Sequence, residues 1–339
     1  MQDSGSIPRN SIPAEFGNKV LRLGVSSCLL GNKVRFDGGH KRSSFLTDVL
    51  SPHVEWIPIC PEMELGLGTP RPAMHLLETK PKKTKRSSDG IELVEVKSGI
   101  NHTKEMRHYS HKTTRALNPL DLSGYVFKKD SPSCGVYRVK VYGTTPPKRV
   151  GRGLFAQTVM NAYPNLPVEE EGRLNDLKLR ENFIERIFAF HRLKMLFQSR
   201  WTRSHVVKFH TIHKLQLSVH HPSLYRELGQ LVASIKEHPR RSFQYKYSQT
   251  FMQALEKLPS VGRNTDALHH AAGHLKKILD VDSRKELSLA ILDYKRGVLP
   301  LIVPVTLLKH HIRRNNIEFL KDQTFLEPHP KELVLRNHS

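Results

Sequence analysis

Apolar residues follow two rhythms along this chain. Up to about residue 174 they form short, dense, β-prone runs bounded by turn residues; beyond it they recur every three to four residues over long stretches. The first rhythm predicts strands in "NKVLRLGVSS" (18–27), "HVEWIPIC" (53–60), "GIELVEV" (90–96) and "LSGYVFKKDSPSC" (122–134). Helical spacing enters at "VGRGLFAQTVMNAYP" (150–164), and "HTKEMRHYSHKTTRAL" (102–117) is compatible with a helix. Strands alternating with helices predict an α/β N-terminal domain, Rossmann-like with a largely parallel sheet. The second rhythm predicts an all-α C-terminal domain. It opens with a long amphipathic helix in "NDLKLRENFIERIFAFHRLKMLF", whose stripe is Leu177, Phe183, Ile184, Ile187 and Phe188. Asp282 and Ser283 ahead of Glu286 read as a capping box opening a later helix. The expected division is a loose tail (1–19), an α/β domain (20–174), a connecting helix (175–200) and a helical domain (201–339).

No run of eighteen apolar residues occurs, so no membrane partner is expected. The first twenty residues lack an apolar signal-peptide core, which points to the cytoplasm. Charge changes the picture more. Lys and Arg number 54 against 32 Asp and Glu, a net +22, which makes nucleic acid the leading class of partner. Residues 181–339 hold 26 Lys and Arg against 14 Asp and Glu, so both halves are basic. The run "KPKKTKR" (80–86) could grip phosphates or be a solvated loop. Gly151 and Gly153 form a lone GxG, weak as a phosphate-loop signal. Fourteen of the 20 histidines fall in 181–339. His270 and His274 lie one helical turn apart, but nothing nearby completes a metal site, so RNA contacts or burial are expected for this group.

The chemistry turns on three cysteines, Cys28, Cys60 and Cys134, each at the end of an apolar, strand-like run. In a parallel sheet, ligands bind beyond the carboxyl ends of strands. Three strands could therefore bring three thiols to one point, although the cysteines lie 32 and 74 positions apart, too far for a local zinc or redox motif. In a reducing compartment such thiols can be core residues, a reactive group or metal ligands. From composition alone, the core role is the most frequent.

The segments "LGVSSCLLGNKVRFDGGHK", "ICPEMELGLGTPRP" and "FKKDSPSCGVYRVKVY" resemble the thiouracil desulfidase family, from about Val20 to about Leu174. The later segments "FHTIHKLQLSVHHPSLYRELGQLVA", "LDYKRGVLPLIVPVTLLKHH" and "FLEPHP" resemble a helical domain often fused behind it. The combination is similar to two-domain desulfidases that remove sulfur from 4-thiouridine in tRNA. The resemblance implies a [4Fe–4S] cluster held by Cys28, Cys60 and Cys134, with one iron left open. It also implies functional roles for Glu62, as water activator or proton shuttle, and for Ser131. Asp37, Arg71 and Lys128 lie in or near the matched segments and could line the pocket. The implied reaction is hydrolytic cleavage of a carbon–sulfur bond, with tRNA as partner. Two alternatives stand beside it: a desulfidase of free thiouracil or thionucleosides, and a non-catalytic RNA-binding protein with three structural cysteines.

Overall fold

The computed structural model describes residues 20–79, 90–198 and 200–337. The expected tail (1–19) and the run 80–86 lie outside the described residues. The chain divides into two compact units, Val20–Asp176 and the residues from Leu177 on.

Among the described residues, eight strands lie in the first unit: β1 (Arg22–Ser26), β2 (Glu55–Ile59), β3 (Met74–Glu78), β4 (Ile91–Glu95), β5 (Gly124–Phe127), β6 (Val139–Tyr142), β7 (Lys148–Gly151) and β8 (Val168–Glu170). The main sheet runs β2-β1-β5-β8, and all its pairings are parallel. Leu23 and Val25 of β1, and Tyr125, Val126 and Phe127 of β5, are fully buried. This suits a parallel sheet, whose central strands are covered on both faces. At Gly24 an added Cβ would fall 2.1 Å from the Tyr125 ring, so β1 and β5 pack this closely only with glycine there. Tyr125 stacks on Phe127 with ring centroids 3.9 Å apart, and both meet Phe155 edge-on.

Among the described residues, three α-helices belong to this unit: α1 (Pro61–Glu64), α2 (Thr103–Leu117) and α3 (Leu154–Ala162). In α2 the buried positions Met106, Ser110, Thr114 and Leu117 recur at helical spacing. The predicted α/β class holds, with one addition: the "GIELVEV" strand does not join the main sheet. It is β4 of a second, mixed sheet ordered β4-β3-β6-β7. An alternating strand pattern fixes which face is buried, not which sheet the strand joins.

The second unit is helical: α4 (Leu177–Gln198), α5 (Arg203–His220), α6 (Pro222–Ala233), α7 (Arg240–Glu256), α8 (Val261–Leu275), α9 (Val281–Lys295), α10 (Ile302–Arg314) and the short α11 (Glu318–Lys321). Two cores share α5. One gathers Leu193, Phe209, Leu228, Phe243 and Phe251; the other gathers Leu215, Leu268, Ile291, Val305 and Leu308. The helix expected to be a connector is α4, and its Ala189, Leu193 and Leu196 are part of the first of these cores. It is an integral helix of the second unit. The capping box predicted at Asp282 and Ser283 also shifts. Asp280 is the N-cap, and its carboxylate accepts the backbone N–H of Ser283 at 2.8 Å. Among the described residues, no helix is long and apolar enough to cross a membrane.

Candidate active site

β2, β1 and β5 are neighbours, so the segments that follow them leave the same edge of the sheet. Cys28 sits in a 3₁₀ turn (Ser27–Leu30) directly after β1; its carbonyl accepts the N–H of Lys41 at 2.9 Å and of Gly31 at 3.3 Å. Cys60 follows β2 as the N-cap of α1, with Pro61 at the first helical position. Cys134 lies in a tight loop closed by the Gly135 N–H on the Ser131 carbonyl at 2.7 Å. The three thiols line one cavity, together with Glu62, Arg71, Lys128, Ser131 and Ser133. All three are free.

Glu62 is held in this cavity through both of its oxygens. One of its oxygens accepts from Arg71 Nε at 2.9 Å and also from Arg71 Nη2. The other accepts the Ser133 hydroxyl at 2.6 Å. Arg71 is buried, and its Nη1 donates to the carbonyls of Gly68 at 2.8 Å and Val34 at 3.0 Å. The guanidinium is thus locked to the backbone and fixes the carboxylate in turn. Because Ser133 gives its hydrogen to Glu62, the 3.0 Å contact between Ser131 and Ser133 runs from the Ser131 hydroxyl to Ser133 Oγ. Ser131 Oγ also accepts the N–H groups of Cys134 at 3.1 Å and Ser133 at 3.3 Å. Its hydroxyl shapes the cysteine loop and feeds the chain Ser131–Ser133–Glu62.

The loop is held from the end of β8 as well. Glu171 accepts Lys128 Nζ at 2.6 Å and the Lys129 N–H at 2.6 Å. Glu170, buried, accepts the N–H groups of Val136 at 2.7 Å and Tyr137 at 3.0 Å. Burial of its carboxyl pushes the Glu170 pKa up, and these two N–H groups oppose that. At the first turn of α3, the N–H groups of Leu154 and Phe155 donate to the carbonyls of Pro132 at 3.2 Å and Ser133 at 3.0 Å. The GxG stretch is therefore a packing contact: Gly153 leaves room for the loop, and its N–H donates to Gly135.

Of the residues singled out in the sequence, Cys28, Cys60, Cys134, Glu62, Ser131, Arg71 and Lys128 meet at this cavity. Asp37 does not. It lies on an exposed turn, where its carboxylate accepts from Arg35 Nη2 at 3.2 Å and from the Gly39 N–H at 3.0 Å. Its partner Arg35 lines the cavity instead. Sequence reasoning missed Ser133, Glu170 and Glu171. The signals were the second serine of "DSPSC" and the acidic triplet ending β8.

Burial pushes the Cys28 thiol up to about 11 and raises Cys60 and Cys134 as well. Cys60 adds to the rise of Cys28, and Cys60 and Cys28 add to that of Cys134. Among the described residues, no three His, Cys, Asp or Glu side chains are arranged to hold a single metal ion. Three soft donors spread around a cavity suit a multi-iron cluster, whose iron would take the place of the thiol protons.

Residues 23–171 match the family described as 2-thiouracil desulfurase, and residues 214–330 match DUF1722, a family of unknown function. The uncharacterized protein YbgA of Escherichia coli is 28% identical over 48% of this chain and 98% of its own length. The uncharacterized protein YbbK of Bacillus subtilis is 27% identical over 45% of this chain and 97% of its own. The solved [4Fe–4S]-dependent thiouracil desulfidase TudS is 26% identical, over 48% of this chain and 99% of its own, with a TM-score of 0.36. The cysteine-bearing unit of this chain thus carries the match to the 2-thiouracil desulfurase family, and the helical unit carries the match to DUF1722.

Proposed function

We propose that this protein is an iron–sulfur-dependent desulfidase that removes sulfur from 4-thiouridine in tRNA, leaving uridine. The observation that carries the reading is the meeting of Cys28, Cys60 and Cys134, from three separate segments, around a cavity that also holds Glu62. The three thiols would hold a [4Fe–4S] cluster. Such a cluster, with one iron lacking a protein ligand, supplies a soft Lewis acid for a thiocarbonyl sulfur.

The chain's own residues supply the rest. Glu62 keeps one lone pair, on Oε1, beyond those given to Arg71 and Ser133, so it can take a proton from an attacking water. Ser133 and Ser131 extend that contact inward and steady the carboxylate while it carries the proton. Lys128 brings a cation to the cavity wall, held in place by Glu171. The net change is hydrolytic: water adds at the ring carbon, the carbon–sulfur bond breaks, and sulfide leaves without net redox change.

The choice of tRNA over a free base rests on charge. The net +22 is shared by both halves, which suits a surface for a large polyanion. The name of the matched family favours a second reading, desulfuration of free 2-thiouracil. Anaerobic reconstitution, followed by parallel assays on 4-thiouridine-containing tRNA and on 2-thiouracil, separates the two. Turnover on tRNA at low substrate concentration supports the proposal; turnover on the free base alone replaces it. Iron-free protein with no turnover on either substrate removes both.

A further inference from the structure

Part of the wall of the cysteine cavity is a braced turn. Residues 34–39 close on themselves: the Arg35 N–H donates to the Gly39 carbonyl at 3.2 Å, and the Gly38 N–H to the Arg35 carbonyl at 3.0 Å. Three successive carbonyls of this turn are tied to the segment 69–71. Val34 accepts from Arg71 Nη1 at 3.0 Å, Arg35 from the Thr69 hydroxyl at 2.8 Å, and Phe36 from the Arg71 N–H at 2.9 Å. Arg71 also fixes the Glu62 carboxylate. The turn and the carboxylate are thus positioned by the same residue.

Among the described residues, Phe36 is the one aromatic residue that lines the cavity, and it is 43% exposed. A single phenyl ring on open surface needs no explanation, but one built into the wall of a polar cavity is available to a ligand. The Arg35 guanidinium lies over the Phe36 ring, 5.5 Å from its centroid. Asp37 holds that guanidinium, accepting from Nε at 3.3 Å and Nη2 at 3.2 Å. Arg35 also feels the charges of Cys28 and Glu62, so the cation and the ring beside it stand within reach of the reacting groups.

We propose that Phe36 is the platform on which the thiolated pyrimidine stacks, holding the base flat beside the three thiols. The inference rests on the desulfidase reading and adds to it the residue that sets the plane of the substrate. Every base has a π face, so stacking serves a free base and a base within tRNA alike. Water adds to a ring carbon perpendicular to the ring plane. A base covered on one face by Phe36 leaves the other open to attack, while its sulfur, which lies in the plane, stays free to meet the cluster.

The test compares full-length, cluster-reconstituted parent protein with Phe36→Ala, Phe36→Leu and Phe36→Tyr. kcat and KM are measured on 4-thiouridine-containing tRNA and on 2-thiouracil, and retention of the product nucleoside uridine by equilibrium dialysis. Stacking holds ground state and transition state alike, so its loss raises KM and spares kcat. Phe36→Ala should raise KM about five- to hundredfold on whichever substrate the parent turns over, and should retain less uridine at unchanged iron content. Phe36→Tyr should restore KM, whereas Phe36→Leu, apolar but without a π face, should stay near the alanine variant. Should Phe36→Ala fail to fold, the leucine and tyrosine variants, which keep most of the bulk, carry the comparison. An active parent with unmoved KM in Phe36→Ala overturns the platform alone. So does equal uridine retention by the parent and the alanine variant, or leucine restoring KM as well as tyrosine. A parent inactive on both substrates removes the desulfidase reading, and the platform with it.

Discussion

Ser133 donates its hydroxyl to Glu62 at 2.6 Å, joining two residues that lie 71 positions apart in the chain. The bond ties the segment after β2 to the loop after β5, and so couples two of the three cysteine-bearing segments through a side chain that could take part in the chemistry. Ser133→Ala removes the donor but no thiol. We expect the reconstituted variant to keep its iron content and lose turnover. Glu62→Gln should lose more, within the roughly 10²–10⁴-fold range of general acid–base groups. Single-turnover assays beside iron determination check this. A Glu62→Gln enzyme with undiminished single-turnover rate removes the proposed role.

Gly153 faces the other side of the same loop. A Cβ there would lie 2.5 Å from the Ser133 carbonyl group and 2.7 Å from the Cys134 nitrogen, both backbone atoms that cannot swing aside. Gly153→Ala should therefore displace the loop and cost about 1–3 kcal/mol, the usual penalty of overpacking. Lower cluster occupancy after reconstitution and a lower Tm are the expected readouts. Normal occupancy would show that the loop has slack which the packing does not suggest.

Much of this site was legible in the sequence because its chemistry sits at strand ends. Cys28 and Cys60 each come within two residues of a strand's last position, and runs of Val, Ile and Leu mark those strands plainly. That β2, β1 and β5 are neighbours was not legible: strand order depends on pairings between distant segments, on which local pattern is silent. Asp37 illustrates the same limit. It shares a segment with cavity residues, yet the turn at Gly38 and Gly39 directs its carboxylate to Arg35 and the backbone. Glu170 and Glu171 were hidden for the opposite reason. An acidic triplet reads as solvated surface until the fold places two backbone N–H groups against one member and a lysine against another. In the helical unit, the apolar stripe of α4 was visible, but its place inside a core was not, because periodicity shows which face is buried and not what covers it.

Acid should destabilise the helical unit before it titrates the carboxylates. Burial pushes His210 and His329 down to about 4, from an ordinary imidazole value near 6.5, and holds His213 well below that ordinary value too. Between those values the unfolded chain binds more protons than the folded one. The stability contributed by these neutral rings is therefore complete above pH 6.5 and falls away as pH drops toward 4. Each of the first two is worth at most about 3 kcal/mol. Burial pushes the Glu185 carboxyl up, but the hydrogen bond from His220 and the charge of Arg336 outweigh it and hold it down to about 2, so its loss is added only below about pH 4.5. Urea midpoints at pH 7.5 and pH 5 should differ clearly, and His210→Gln should narrow the gap. Equal midpoints in the parent protein would mean that the buried rings titrate as if exposed.

The charge argument for tRNA has its own test. If phosphates are neutralised by Lys and Arg on both units, the affinity of the full-length protein for tRNA must fall steeply with salt. Each neutralised phosphate contributes about 0.7–0.9 to the slope of log K against log[salt]. Residues 181–339 carry a net +12 of the total +22, so losing that half should remove a large part of the slope. The cysteine-bearing unit has its own buried sheet and helices, so residues 20–176 can be produced alone. With the cluster reconstituted, this piece should still act on a small thiolated pyrimidine and bind tRNA weakly, with a flatter salt plot. Parallel filter-binding titrations of the two proteins at several salt concentrations provide the comparison. Equal slopes and equal affinities would show that the helical unit does not hold the RNA. A desulfidase of the free base, with a helical partner domain serving another ligand, would then be the better account of the chain.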